Sequence, residues 1–176
     1  MQIVTSPKEF QSICRSWRAD GQKIALVPTM GYLHAGHLSL FTWARANAGK
    51  VAASIFVNPT QFGPGEDLDR YPRDPEGDAA KARETGVDVL YMPEAAAMYP
   101  PGFATSVRVE GLTSGLCGRS RPTHFEGVAT VVAKLLIQSM PDVAVFGLKD
   151  WQQVAVVRRL ATDLDLPVAI EGRPIF

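Results

Sequence analysis

Short apolar runs alternate with amphipathic segments along most of the chain. The apolar runs predict buried strands over 24–27, 51–57, 87–92, 143–146 and 168–170, with a hairpin arm or edge strand over 103–109. Apolar residues spaced three and four apart predict helices from residue 7, over 36–48, over 76–84, from about residue 123 and over 149–164. This alternation is typical of an α/β fold built on a doubly wound parallel sheet.

Two of the predicted helices begin with capping signals. Ser6 and Glu9 have the spacing of a capping box, and Pro7 between them is favoured at the first helical position. Thr123 and Glu126 form a second predicted capping box. These signals fix the expected starts of the first helix and of the helix after residue 123.

Proline and glycine mark the irregular segments. Pro28 is expected to end the strand over 24–27 because proline lacks the backbone N–H that a sheet requires. The stretch 58–75 is polar and rich in proline and glycine. It is too long for a plain connection, which favours a functional loop.

Composition limits the classes of function. The chain has 176 residues, enough for one domain, with the 46% hydrophobic and 20% charged residues of a globular protein. Eighteen Lys and Arg balance eighteen Asp and Glu, which gives no reason to expect nucleic acid as a partner. Cys14 and Cys117 cannot form a disulfide framework, and the longest apolar run contains Lys134. We therefore predict a reduced, cytoplasmic protein that does not contact membranes.

The densest group of chemically useful residues follows the first of these strands. His34 and His37 lie near the start of a predicted helix, where free N–H groups favour an anion, and Gly31 and Gly36 allow close approach to a ligand. Ligands of open α/β sheets bind at such strand ends, and two imidazoles can donate hydrogen bonds to a leaving pyrophosphate. Two alternatives remain: one histidine caps the helix while the other is solvated, or the pair binds a metal without a third ligand nearby.

Two further charged groups precede predicted helices. Lys149 at a helix start is unfavourable with the helix dipole, so either a bound phosphate or the neighbouring Asp150 must compensate. Asp150 itself is equally suited to simple helix capping. Arg119, Arg121 and His124 could attract an anion, although a solvated loop explains them nearly as well.

Neutral amides complete the set of candidate residues. Asn58 and Gln61 follow the strand over 51–57, where they could bind a hydroxyl or carboxylate without adding charge. For Asn58, ordinary turn chemistry is the alternative. Gln152 and Gln153 lie one turn into the helix after Lys149, and an exposed helix face is as good an explanation as ligand contact.

Four blocks of the sequence resemble a known family. In chain order they are PTMGYLHAGHLSL (28–40), SIFVNPTQFGPGEDLDRYPRD (54–74), SRPTHFEGVATVVAKL (120–135) and VFGLKDWQQ (145–153). The first is similar to the HxGH signature of the nucleotidyltransferase superfamily, which includes class I aminoacyl-tRNA synthetases. All four together resemble the pantoate–β-alanine ligase family, and the resemblance implies its Rossmann-like parallel sheet.

The resemblance implies ATP-dependent amide formation in two steps. Pantoate attacks the α-phosphate of ATP, accompanied by Mg²⁺, and β-alanine then displaces AMP; no tightly bound cofactor and no protein metal site are expected. His37 is implied as proton donor, His34 and Lys149 contact the phosphates, Gln61 holds pantoate and then β-alanine, and Gln153 holds pantoate. The implied ATP-binding residues are Met30, Gly31, Tyr32, Leu33, His34, Ala35, Gly36, His37, Gly147, Leu148, Lys149, Asp150 and Phe176.

The chain departs from the family pattern in two places. Leu148 stands where the family usually has Glu, which could alter the setting of Lys149. A serine-rich block and a small lid domain follow the position of Phe176 in the family, so residues 1–176 are expected to be the N-terminal domain of a longer enzyme with little turnover alone. The resemblance also implies a homodimer. Two rival functions remain, another HxGH adenylyl- or cytidylyltransferase and a non-catalytic nucleotide-binding or dimerisation module.

Overall fold

The protein is built on a six-stranded parallel sheet. The computed structural model describes residues 1–63, 66, 68–113 and 117–175. The strands are β1 (Gln2–Val4), β2 (Ile24–Thr29), β3 (Lys50–Ile55), β4 (Val89–Tyr91), β5 (Val143–Gly147) and β6 (Ala169–Arg173). Their order across the sheet is β1-β4-β3-β2-β5-β6, and every described pairing is parallel. The predicted doubly wound sheet is confirmed.

Helices cover both faces of this sheet. They are α1 (Pro7–Ala19), α2 (Ala35–Asn47), α3 (Pro75–Glu84), α4 (Ala95–Met98), α5 (Cys117–Ser120), α6 (His124–Ser139) and α7 (Trp151–Asp163). Short 3₁₀ turns occupy Pro59–Gln61 and Leu148–Asp150. Buried side chains of α1, α6 and α7 share one core cluster with the sheet, whereas those of α2 and α3 share a second one. The chain therefore folds into three layers, helix, sheet and helix.

The predicted start of α1 is confirmed, but that of α6 is wrong in its detail. Ser6 caps α1 by accepting a hydrogen bond from the N–H of Glu9 at 3.4 Å. Thr123 precedes α6 with helical φ −93° and ψ −11°, and its side chain makes no capping hydrogen bond. A side chain caps a helix when the N-cap residue has an extended backbone. Here a turn after α5, closed by the hydrogen bond from the N–H of His124 to the C=O of Arg121, already gives Thr123 a helical backbone.

Two strand predictions need correction. Residues 103–109 form neither a hairpin arm nor an edge strand, because the N–H of Val107 donates to Oγ1 of Thr130 on α6 at 2.9 Å rather than to a strand. Pro28 does not end β2, which continues to Thr29. The C=O of Ile24 accepts a hydrogen bond from the N–H of Asp142, just before β5, and the C=O of Thr29 accepts one from the N–H of Phe56, just after β3. Successive residues of a strand alternate between its two neighbours, so Pro28, like Ile24, faces β5.

The geometry around Pro28 explains where the sheet opens. Pairing of β2 with β5 stops at Leu26 and Ala144, whereas pairing with β3 continues to Thr29. Proline has no N–H, so Pro28 cannot extend the hydrogen-bonded ladder toward β5. Because that ladder already ends at Leu26, Pro28 removes no hydrogen bond from the sheet. The carboxyl ends of β2 and β5 thus separate, and this gap is the topological switch point of the sheet.

Candidate active site

A cavity of about 280 Å³ lies in the gap between β2 and β5. It is lined by residues from both strand ends, from the 3₁₀ turn after β3 and from α6. Most of the candidate residues converge here: Met30, His34, His37, Asn58, Gln61, Gly147, Lys149, Asp150 and Gln153. Crevices at switch points are the usual ligand sites of open α/β sheets.

The two histidines cap helix α2 reciprocally. His34 is the N-cap residue, and its Nδ1 accepts a hydrogen bond from the N–H of Gly36 at 3.1 Å. Nδ1 of His37 accepts from the N–H of His34 at 3.4 Å, and the two ring centroids are 4.2 Å apart. Since each neutral ring accepts at Nδ1, its proton lies on Nε2. Each ring therefore retains one N–H donor beyond the cap.

The electrostatic environment keeps His37 neutral. Burial, followed by the neighbouring His34, lowers its pKa from 6.5 to about 4. Lys149 lowers it as well, whereas Asp78 and Asp150 act in the opposite direction. At neutral pH the site consequently offers an imidazole N–H from His37 rather than a positive charge.

The glycines of this loop make room for protein atoms. A Cβ on Gly31, whose φ is +85°, would lie 2.9 Å from Cγ2 of Ile55 and 3.0 Å from Oδ2 of Asp78. A Cβ on Gly36 would lie 2.9 Å from Cε1 of His34 and 3.3 Å from Cβ of Ile175. Both glycines thus allow the loop to pack against its own neighbours, where the sequence indicated close approach to a ligand.

The second strand end presents an exposed lysine to the cavity. Lys149 and Asp150 lie in the 3₁₀ turn before α7, and no ion pair joins them in the part of the chain that the structure describes. Asp150 occupies the N-cap position of α7 without a side-chain capping bond. Leu148 is 40% exposed, and a Cβ on Gly172 would lie 2.7 Å from its Cδ2. Leu148 packs over β6, outside the cavity lining.

Asn58 holds the amide of Gln61 in place. Its Nδ2 donates to Oε1 of Gln61 and to the C=O of Gly127, both at 3.1 Å. Its Oδ1 accepts from the hydroxyls of Thr60 at 2.9 Å and Tyr99 at 2.8 Å. Asn58 is 1% exposed and uses its full hydrogen-bonding capacity within the protein. Its direct contribution is therefore to position the neighbouring glutamine.

Gln61 and Gln153 are the amides with spare capacity. Gln61 is 7% exposed, and among the described residues its Nε2 has only the weak acceptor Sδ of Met30, at 3.1 Å. Gln153 is half-buried, with no hydrogen-bond partner for its side chain among the described residues. Both also line an adjoining cavity of about 570 Å³, which extends past α5 and α7. Gln152, by contrast, is buried and connects Cys117 to Leu112.

The basic residues before α6 serve the loop after β3. Arg121 forms two hydrogen bonds of 2.6 Å with the carboxylate of Glu66. Hydrogen bonding from the Arg121 side chain, and next from the N–H of Gly63, lowers the pKa of Glu66 to about 2. Arg121 and Nδ1 of His124 also hydrogen-bond the C=O of Gln61, at 3.2 Å and 3.0 Å. The cluster secures Gln61 from its backbone side.

Sequence reasoning missed several residues that shape the site. Asp78 and Lys81 of α3 bind the loop before His34, and Ile175 packs on Gly36 and lines the cavity. Asp78 was detectable, because it is spaced four residues before the buried Ala82 and falls on the inward face of α3. Phe176, the remaining candidate for ATP binding, lies outside the described residues.

The comparisons with known proteins agree on one family. The family model for pantoate-beta-alanine ligase matches residues 2–176. A pantothenate synthetase from Oleidesulfovibrio alaskensis is 61% identical over 175 residues, covering 99% of this chain and 62% of that protein. One from Rhodospirillum rubrum is 55% identical with the same coverage. The chain spans about 62% of the length of these curated relatives.

Solved structures show the same fold at high similarity. A crystal structure of pantothenate synthetase from Thermus thermophilus matches with a TM-score of 0.93 and 50% identity, over 99% of this chain and 62% of that one. A pantoate-beta-alanine ligase from Francisella tularensis, complexed with beta-gamma ATP and beta-alanine, matches with a TM-score of 0.94 and 40% identity. That match covers 99% of this chain and 67% of the other. Among the described helices, none has the length and apolar character to cross a bilayer.

Proposed function

The chain belongs to the pantoate–β-alanine ligase family, and from this premise we propose that it binds ATP and pantoate and forms pantoyl adenylate. The observation that carries the proposal is the convergence of two helix starts on one cavity. His34 and His37, at the start of α2, line the same cavity as Lys149, which precedes α7. This cavity lies between the separated ends of β2 and β5. A ligand with several phosphates is the chemistry that such converging N–H and ammonium donors fit.

In the first proposed step, a carboxylate oxygen of pantoate attacks the α-phosphorus of ATP and pyrophosphate leaves. Both substrates are anionic, so the neutral amides of Gln61 and Gln153 suit the hydroxy acid better than further charges would. The Nε2–H groups of His34 and His37 and the ammonium of Lys149 stabilise charge that builds on the phosphates. Positioning and charge stabilisation are the main contributions that an in-line displacement at phosphorus requires.

In the second proposed step, the amine of β-alanine attacks the acyl carbon of pantoyl adenylate, the bond between that carbon and the phosphate oxygen of AMP breaks, and AMP and the amine's proton are released to solvent. We assign the holding of β-alanine to Gln61. The bound β-alanine of the Francisella tularensis relative supports this amine as the acceptor. A phosphorylated acceptor, which a rival transferase would use, calls for cations where this cavity has amides.

We propose Mg²⁺ as the companion of ATP. In the described part of the chain, no three His, Cys, Asp or Glu side chains form a group that could hold a metal ion. The ion would therefore arrive on the phosphates, which is the usual mode for Mg²⁺. A homodimer and a cytoplasmic location also stay predictions, as does the assignment of residues 1–176 to one domain of a longer enzyme.

Calorimetry with ATP and pantoate tests the proposed binding. We expect the 176-residue chain to bind both, with pantoate binding lost in Gln153→Ala and retained in Gln22→Ala, a matched change at an exposed glutamine remote from the gap. Pyrophosphate exchange into ATP should then depend on pantoate. Exchange that depends on a phosphorylated acceptor instead would favour another transferase. ATP binding without any effect of pantoate would favour a non-catalytic nucleotide-binding module.

Turnover requires a separate measurement. Residues 1–176 span about 62% of the length of the curated relatives. We therefore expect slow steady-state formation of pantothenate. A rate equal to that of a full-length relative assayed alongside would contradict this expectation while leaving the proposed chemistry intact.

A further inference from the structure

A buried carboxylate of α3 binds the loop that leads into the two histidines. Asp78 is 1% exposed. Its Oδ2 accepts a hydrogen bond from the backbone N–H of Tyr32 at 2.8 Å, and its Oδ1 accepts one from that of Leu33 at 2.7 Å. A carboxylate this deeply buried requires good donors, and two successive peptide groups of the loop supply them.

The same loop has a backbone shape that needs support from outside. Gly31 has φ +85° and Tyr32 has φ +52°. A non-glycine residue in the left-handed region persists only where its surroundings hold it there. The side chain of Tyr32 is 56% exposed, so it does not supply that hold. The hydrogen bond from its N–H to Asp78 does.

Lys81, one turn further along α3, binds the other side of the loop. Its Nζ donates to the C=O of Leu33 at 2.9 Å. The N–H and the C=O of Leu33 are therefore both held by one helix, and its side chain is buried in the core between α2, α3 and the sheet. The next residue is His34, the N-cap of α2.

We propose that Asp78, together with Lys81, is a positioning residue of the adenylate-forming site, fixing the loop so that Met30 before it and His34 after it face the gap. The proposal deepens the function proposed above and rests on it. A carboxylate that only stabilised the core would affect unfolding but would leave the histidine rings and ATP affinity of the folded protein unchanged. That difference makes the proposal testable.

Asp78 also reaches His37 electrostatically. Burial, His34 and Lys149 lower the pKa of His37, whereas Asp78 and Asp150 raise it. Among the described residues, His34, Lys149, Asp78 and Asp150 are the charged and titratable groups that act on the ring. Neutralising Asp78 should therefore lower the pKa of His37 further, a change that ring signals in an NMR titration report without any need for turnover.

The experiment compares Asp78→Asn with Glu76→Gln in the 176-residue chain. Glu76 lies exposed in the first turn of the same helix and has no ion pair among the described residues, so this control removes a nearby carboxylate while keeping Asp78, Lys81 and the loop. At a temperature well below unfolding, we expect Asp78→Asn to shift the Tyr32 and Leu33 amide signals and the ring signals of both histidines. It should also weaken ATP binding at least tenfold. Glu76→Gln should change neither the ring signals nor the ATP affinity.

Unchanged ring signals together with ATP affinity within twofold of the parent chain would overturn the proposal. If Asp78→Asn does not fold, Lys81→Met provides the same comparison, because it removes the anchor on the C=O of Leu33 while keeping an apolar stem. If the parent chain binds no ATP, the proposed function fails. The NMR comparison still decides whether Asp78 positions the rings.

Discussion

Acidification should weaken the fold through His37. The folded chain holds this imidazole neutral down to a pKa of about 4, whereas the ordinary value is 6.5. Between these two values the unfolded chain binds more protons than the folded one. Stability is therefore complete above the higher value and is lost progressively as the pH falls toward the lower one. Protonation would also place an N–H at Nδ1 against the N–H of His34, breaking the reciprocal cap.

The size of the effect follows from the two pKa values. From about pH 7.5 to about pH 5, the difference corresponds to about 2 kcal/mol of unfolding free energy, at about 1.4 kcal/mol per unit. Because the His37 ring is partly exposed, solvent screening leaves about half of this, about 1 kcal/mol. For a chain of this length, that lowers the melting temperature by roughly 2–4 °C.

Thermal melts followed by circular dichroism across this pH range test the reasoning. The informative variant is His37→Gln, because glutamine is a natural third residue of a capping box and does not titrate. We expect the variant to lose about half or more of the pH dependence. His124, whose pKa burial also lowers, supplies part of the remainder, which His124→Gln removes separately. A pH dependence of the melting temperature in His37→Gln equal to that of the parent chain would refute the argument. Staying above about pH 5 keeps Glu66 mostly ionised in both the folded and the unfolded chain.

Three further changes have distinct expected outcomes. Lys149→Met should weaken ATP binding by about 10-fold to 100-fold in calorimetry without lowering the melting temperature, because the exposed side chain has no ion pair among the described residues. Asn58→Ala should lower the unfolding free energy in urea by about 2–4 kcal/mol, since it leaves buried partners without hydrogen bonds. Gly127→Ala should lower it by about 1–3 kcal/mol and weaken pantoate binding, because the added Cβ would lie 2.5 Å from the C=O of Thr60.

Matched controls separate these effects from general damage. Lys8→Met changes an exposed lysine on α1, away from the gap, and should leave ATP affinity unchanged. Ala129→Gly, two residues along α6, changes the helix propensity of α6 and removes a buried methyl group, and it should leave pantoate binding unchanged. Equal ATP affinity in the Lys149 and Lys8 variants would refute the phosphate role. A loss of less than about 0.5 kcal/mol of unfolding free energy for Asn58→Ala would contradict the stabilising role of the four hydrogen bonds of its side chain.

Local patterns were sufficient for the elements that bury one face. The apolar spacing predicts a helix over 36–48, and α2 occupies these positions to within one residue and buries Leu40, Phe41 and Ala44. The same logic failed for β1 (Gln2–Val4), which has only three residues and pairs with β4. Its existence depends on a partner strand more than eighty residues away, which no local pattern reports.

Candidate site residues can be located from local sequence features, whereas the contacts that hold them in place cannot. Strand ends and helix starts are local features that the sequence indicates, and the structure places the histidine and Lys149 junctions at one gap. The hydrogen bonds of Asn58 could not be predicted, because they join α6 and a tyrosine after α4 across long stretches of chain. The role of Arg121 likewise depends on Glu66, fifty-five residues away.

The capping and ligand-binding interpretations of His34 and His37 are compatible, because they use different nitrogens of each ring. Capping occupies Nδ1 of both rings with backbone N–H groups. It thereby fixes the tautomer and leaves the Nε2–H of each ring unused by the helix. A cap made by Asp would satisfy the same N–H groups but would present a carboxylate and no donor to a phosphate. The residue type at these two positions is thus better explained by the proposed ATP site than by helix stability alone.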